Sequence, residues 1–415
     1  MRQQAKRELE NVIFPFWWGH GVDRVEGGVH TCFDNRGEQL LSTDKYVWSQ
    51  GRWAWILARA ARLAERGLLA IDVNQYLSHA EKTVEFLLDN ATRSDGTCHF
   101  VLTRTGQPVD APHSVYADLF VVMGVGEFAR AAGRPELLEK TIPIVERATS
   151  DVWAHRSDTP PYPVPGGYTA LGPDLILLNA LLVDAQAREE LDVYSATHRQ
   201  RLATTMDRTL SLHESYGTFI EMRGPRSAEE TLIARHRVPG HNLEATWILT
   251  EAAQLLGRDE VIPEMAASVG PICASGWDPE FGGILRYVDK SGPTMPTGSR
   301  TDGDPYEALV VDTWDTKLWW VHTEALHATA VAGFGQGDEH AKEWAKKVWD
   351  YTISTFPDPA AREWVQIRDR AGAPLEKTVA LPVKDPFHIA RALMQVVELE
   401  HVPAQEDHAH RPATA

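Results

Sequence analysis

Apolar residues recur at helical spacing through most of the chain. Trp53, Ile56, Leu57, Ala60 and Leu63 fall three and four apart, so they share one side of a helix that Gly67 ends. Ser42, Thr43 and Asp44 offer candidate N-caps before it. Tyr76, Leu77, Ala80, Val84, Leu87 and Leu88 give a second stripe, between about Asn74 and Asp89. The same reading predicts helices over roughly 114–132, 135–154, 173–190, 195–212, 241–256, 259–273, 315–333, 338–355 and 386–400. With the N-terminal segment this makes about twelve helices, mostly in consecutive pairs.

The helical pattern is broken at intervals by short glycine-bounded runs of β-formers. They are Gly27 to Phe33 before Gly37, Gly96 to Val101 before Gly106, Gly217 to Met222 before Gly224 and Gly282 to Tyr287 before Gly292. A fifth runs from Glu363 to Ile367 before Gly372. Each reads as a small hairpin. A helix pair that buries one face only by packing on its neighbours, repeated at similar length, predicts a closed helical ring. The expected class is therefore all-α, an (α/α)6 barrel with short β-hairpins in the loops. We expect one catalytic domain over residues 1–403 and a polar, disordered tail over 404–415.

Composition removes several functions. The 415 residues carry a formal net charge of −17, and no Lys/Arg stripe appears, so no nucleic-acid partner is expected. An acidic surface disfavours an anionic membrane, and no apolar run is long enough to span one. The N-terminus reads as polar helix without the apolar stretch of a signal peptide. Three distant cysteines support neither a disulfide framework nor a thiolate zinc site. A cytoplasmic location follows as an expectation. The fourteen tryptophans supply core, and some supply flat faces for sugar rings.

Candidate chemistry gathers at helix starts. Pro239-Gly240-His241-Asn242-Leu243-Glu244 puts His241 and Glu244 at i and i+3, on one face. Pro386-Phe387-His388 brings a second histidine to another helix start. Two such histidines suit proton transfer to both faces of one carbon. Arg52 stands among Tyr46, Trp48, Trp53 and Trp55, which fits equally an arginine stacked on tryptophan in a salt bridge and one that steadies an enediolate oxygen. His113, Tyr116 and Asp118 flank one turn, where orienting roles are expected. Lys317-Leu318-Trp319-Trp320-Val321-His322-Thr323-Glu324 combines stacking and carboxylate groups. No His-Glu-x-x-His occurs and spacing places no third ligand, so no metal is expected.

Taken together, Tyr46 to Arg52, His113 to Asp118, Pro239 to Trp247, Lys317 to Glu324 and Phe387 to Arg391 resemble the N-acylglucosamine 2-epimerase family. That family includes cellobiose 2-epimerases and mannose isomerases. The glycine pairs Gly27-Gly28 and Gly282-Gly283 match as well. The resemblance implies metal-free chemistry on the open-chain form of a reducing sugar, a monosaccharide or disaccharide. It implies His241 and His388 as the acid/base pair, Arg52 as the enediolate-stabilising group, and Glu244 and Glu324 as carboxylates that hold the sugar or tune the histidines. Trp319 falls on the stacking position, and Tyr116 is expected at the sugar.

His322 and Asn179 look like the N-acylglucosamine branch, and both are expected to contact the substrate. Mannose isomerases and cellobiose epimerases tend to carry His-x-x-Glu where Ile176 and Asn179 stand. Val321 and Asp174 depart from the branch, which leaves a substrate other than an N-acyl sugar open. No cofactor is required; nucleotide activation and a homodimer are compatible with the resemblance. The expected reaction inverts C2 through an enediolate, and an aldose–ketose isomerase of the mannose–fructose type is the alternative. A glycosidase would use Glu244 and Glu324 but leave both histidines idle. A non-catalytic, renin-binding-protein-like partner is the lesser alternative.

Overall fold

The structure, a computed structural model, describes residues 1–377 and 382–399. The tail expected from Ala404 lies outside the described residues. Twelve principal helices follow the predicted pairs. They are α1 (Arg2–Glu8), α2 (Val47–Glu65), α3 (Val73–Asn90), α4 (Val115–Ala132), α5 (Ile142–Trp153), α6 (Leu171–Glu190), α7 (Ala196–Leu210) and α8 (Pro239–Leu256). The series ends with α9 (Ile262–Gly276), α10 (Trp319–Ala330), α11 (Glu339–Thr355) and α12 (Phe387–Leu399).

The even-numbered helices form the inner ring. Each packs on the next, and α12 returns to α2, which closes the circle. Sequence explains the sorting. In α4, α8 and α10 nearly every side is buried, whereas α3, α7 and α11 bury a single stripe and keep a polar face. The N-terminal α1 covers α12, so the outer layer is completed by the start of the chain. Close approach needs glycine at one crossing. A Cβ on Gly51 would stand 2.0 Å from the Phe120 carbonyl oxygen, and one on Gly124 would stand 2.4 Å from that of Gly51. An alanine at either position would force α2 and α4 apart, at a cost of about 1–3 kcal/mol or more.

The loops differ in detail from the expected hairpins. Single bridges do close several of the glycine-bounded runs, among them Val22 to Val29, Thr92 to Cys98, His213 to Phe219 and Trp277 to Ile284. The two-residue strands, however, pair between units. They are β1 (Lys45–Tyr46) with β2 (Val101–Leu102), β3 (Thr169–Ala170) with β4 (Met222–Arg223), β5 (His236–Arg237) with β6 (Val288–Asp289) and β7 (Lys317–Leu318) with β8 (Ile367–Arg368), all antiparallel. Three of the first strands, β1, β3 and β7, lead directly into an inner helix, so the ladder fixes where that helix begins. Two buried lysines reinforce this. Lys45 Nζ reaches the Gly27 carbonyl at 2.8 Å and Asp23 at 3.2 Å, and Lys317 Nζ reaches Gly282 at 2.7 Å and Asp278 at 3.1 Å.

Other expectations need correction. Helix α2 starts at Val47, with Tyr46 in the cap position, and Ser42 to Asp44 lie before it without capping it. The segment expected as one helix over 135–154 is split at Thr141, because Pro143 cannot continue a preceding helix. Two short helices, Leu232–Arg235 and Pro305–Thr313, were not anticipated. Among the described residues no helix is long and apolar enough to cross a membrane.

Candidate active site

The inner helices start at one mouth of the ring, and a cavity of about 300 Å³ opens there. Arg52, Tyr116, Ile176, His241, Glu244, Trp319, Trp320 and His388 line it, each within the first two turns of an inner helix. The positive ends of several helix dipoles therefore point toward the same space, which favours negative charge there. The size lies at the small end of the range for small-molecule sites, about 300–1,000 Å³.

Both histidines are held by carboxylates. His241 Nδ1 donates to Glu221 Oε1 at 3.0 Å, and His388 Nδ1 donates to Glu324 Oε1 at 2.7 Å. A carboxylate only accepts, so it fixes the proton on Nδ1 and leaves each Nε2 for the cavity. The two pairs differ in what surrounds them. Glu324 also accepts from Trp247 Nε1 at 2.9 Å and from Arg391 Nη2 at 2.8 Å, and Arg391 Nη2 donates to Glu244 Oε1 at 2.6 Å. Its charge is thus neutralised by arginine. Glu221 has one oxygen on His241 and the other, buried, without a partner.

The consequence is opposite electrostatics. For His388, burial together with the nearby Arg52 and Arg391 charges pushes the ring down to about 3, so it is neutral. For His241, burial works against the charged ring, but Glu221, Glu244 and Glu324 outweigh it and hold the imidazole above its ordinary value. Glu221 answers in kind: burial raises its carboxyl, yet the His241 charge and hydrogen bond bring it below the usual range. One cavity therefore presents a neutral imidazole and one that holds its proton more tightly than a free histidine.

Arg52 is caged by aromatic rings. Its guanidinium carbon lies 4.1 Å from the Phe120 ring centre, 5.2 Å from Phe387 and 5.3 Å from Trp48. Nη1 donates to Asp385 Oδ2 at 2.9 Å, and that oxygen stands 3.7 Å from His388 Nε2. Asp385 thus ties the guanidinium to the neutral histidine's side of the cavity.

The structure brings Arg52, His241, His388, Glu244, Trp319 and Tyr116 to one cavity. It does not bring Glu324, Asn179 or His322 to the cavity wall. Glu324 lies behind His388 as its proton acceptor. Asn179 is buried on α6, away from the lining, and Ile176 faces the cavity in that helix. His322 is fully buried, with Nδ1 donating to the Leu318 carbonyl and Nε2 accepting from the Ile284 amide, so both nitrogens are spent on backbone. Its expected sugar contact is therefore replaced by a structural role.

Several residues were not anticipated. Trp320 packs against both histidines, its ring centre 5.2 Å from that of His241 and 6.0 Å from that of His388. Gly240 makes room for it, since a Cβ there would fall 2.4 Å from the indole. Glu221 and Asp385 were legible only as an acid inside a run of β-formers and an acid just before Pro386. Glu244, Glu324 and His388 form the one cluster of metal-ligand type among the described residues, with ligand atoms within 4.8 Å of one another. The Arg391 guanidinium already bonds both carboxylates and supplies the positive charge between them.

Comparison with known proteins agrees with this architecture. The bovine (Bos taurus) N-acylglucosamine 2-epimerase is 29% identical over 411 residues, covering 96% of this chain and 90% of its own length. The cellobiose 2-epimerase structure from Bacillus thermoamylovorans B4167 superposes with a TM-score of 0.76 at 18% identity, covering 95% of this chain and 98% of its own. A D-mannose isomerase structure superposes with a TM-score of 0.74 at 16% identity, covering 96% and 98%. These likenesses establish the (α/α)6 barrel. The family model for N-acylglucosamine 2-epimerase (GlcNAc 2-epimerase) matches residues 27–392. The chain belongs to the N-acylglucosamine 2-epimerase family.

Proposed function

We propose that this chain is a metal-free sugar 2-epimerase, of the N-acylglucosamine 2-epimerase type, that inverts C2 of a free reducing sugar through an enediolate. The observation that carries the reading is the pair of carboxylate-held histidines in one cavity, one kept neutral and one with its proton affinity raised. In one direction His388 Nε2 removes the C2 proton. The C2–H pair becomes the C1–C2 double bond and the carbonyl oxygen takes the negative charge. Arg52 stabilises that oxygen, and His241 returns a proton to C2 from the other face. The reverse direction exchanges the roles.

Ile176 lines the cavity where mannose isomerases and cellobiose epimerases tend to carry histidine, so the wall there favours the N-acylglucosamine type. The function is tested by incubating N-acetylmannosamine, mannose, glucose, fructose and cellobiose singly and following products by NMR. A C2 epimer as first product supports the reading; a ketose as first product supports the isomerase.

Two further outcomes are expected. Treatment with EDTA leaves turnover unchanged, since Arg391 fills the role of a cation between Glu244 and Glu324. Activity lost on chelation and restored by one divalent metal contradicts the metal-free chemistry. The second concerns pH. Turnover that uses cationic His241 is present below that residue's folded pKa and is lost as pH rises through it. Glu221→Gln keeps an acceptor for Nδ1 but removes the charge, so the alkaline limb of kcat/KM moves to lower pH. A limb that stays in place removes Glu221 from the account.

A further inference from the structure

Arg286 is a buried cation facing the cavity with no carboxylate beside it. It follows the Gly282-Gly283 turn, is 5% exposed and belongs to the cavity wall. Its Nη1 donates to Thr313 Oγ1 at 3.0 Å, and its guanidinium carbon lies 4.7 Å from the Tyr287 ring centre. Among the described residues no acid stands within ion-pair distance of it. The neighbouring arginines are neutralised: Arg52 by Asp385, Arg391 by Glu244 and Glu324, Arg237 by Glu214 and Arg235 by Asp289. A buried charge left unpaired is costly, and the cost is removed when a ligand brings the counter-charge.

Tyr306 and Thr313 come from the short helix Pro305–Thr313, which walls this end of the cavity. Tyr306 is fixed there by donating to His236 Nε2 at 2.9 Å, because His236 Nδ1 is engaged by the Ile233 carbonyl. The carboxylate on this side, Glu221, is already bonded to His241. Arg52, Asp385 and His388 belong to the other side. A sugar with C2 between the histidines would have its far end available to Arg286.

We infer that Arg286 binds an anionic substituent, a carboxylate, phosphate or sulfonate on the end of the sugar remote from C1, and that the substrate class is an acidic reducing sugar. The inference rests on the sugar-epimerase reading for the placement of the substrate. A guanidinium fork suits all three oxyanions.

Binding of unreactive open-chain analogues tests it without requiring turnover. Glucitol, glucitol 6-phosphate and gulonate lack the C1 carbonyl, so they cannot be epimerised. Calorimetry on the parent protein is expected to show one or both acidic analogues binding roughly tenfold to hundredfold more tightly than glucitol. Which of the two is preferred distinguishes a tetrahedral from a planar oxyanion. In Arg286→Met that preference falls to parity, and in Arg286→Lys it is partly kept. Equal binding of neutral and acidic analogues by the parent overturns the inference, as does a preference that survives in Arg286→Met. If no sugar is epimerised yet the Arg286-dependent preference is found, the reaction assignment fails and the anion site stands.

Discussion

His388→Asn is expected to lower kcat/KM for C2 inversion by about 10²–10⁴-fold, the range that a positioned acid or base contributes. Asparagine can still donate to Glu324 in place of the ring Nδ1–H, so the buried carboxylate keeps a partner and the fold is retained. What is lost is the lone pair on Nε2, held available because burial and two arginines keep the ring neutral. Parallel thermal melts separate lost chemistry from lost structure. A variant that melts like the parent and turns over like it would remove His388 from the reaction.

Arg52→Lys is expected to lower kcat by roughly 10²–10³-fold although the charge is kept, a loss typical of removing one preorganised donor to a developing oxyanion. The guanidinium is planar, and its cage of Phe120, Phe387 and Trp48 matches a flat group. It gives one N–H to Asp385 while keeping others for an oxygen of the substrate. An ammonium presents a point charge on a flexible stem and cannot make both contacts in that geometry. The check is a steady-state comparison in which kcat falls with little change in KM. Near-parent turnover would make Arg52 a packing residue.

The ring itself was legible because its signals are local. Helical spacing, glycine stops and the repeat of helix pairs are all written in short windows, and the inner helices were placed to within a few residues. The two added short helices were not, since Leu232–Arg235 is a single turn and Pro305–Thr313 lies in a long loop without a repeating stripe. Strand pairing between units was also hidden: β1 and β2 are more than fifty residues apart, and two-residue strands carry no periodicity. At the site, His241, His388 and Arg52 announced themselves by unusual chemistry at helix starts. Glu221 and Asp385 did not, because their partners are set by the closed ring. His322 shows the reverse error. Chemistry-rich neighbours suggested a substrate contact, but its position on α10 turns it outward to the Ile284 amide.

The most direct test of the two-histidine account is C2 exchange in D₂O, followed by NMR on each epimer separately with His241→Asn and His388→Asn. Each variant keeps one proton carrier on one face. His241→Asn is expected to put deuterium at C2 of only the epimer whose hydrogen faces His388, without forming the other epimer. His388→Asn is expected to label only the opposite epimer, also without inversion. This crossed pattern follows from splitting the reaction into two half-steps with separate catalysts. Inversion by either variant at near the parent rate, or labelling of the same epimer by both, would contradict the account and leave a single-base shuttle in its place.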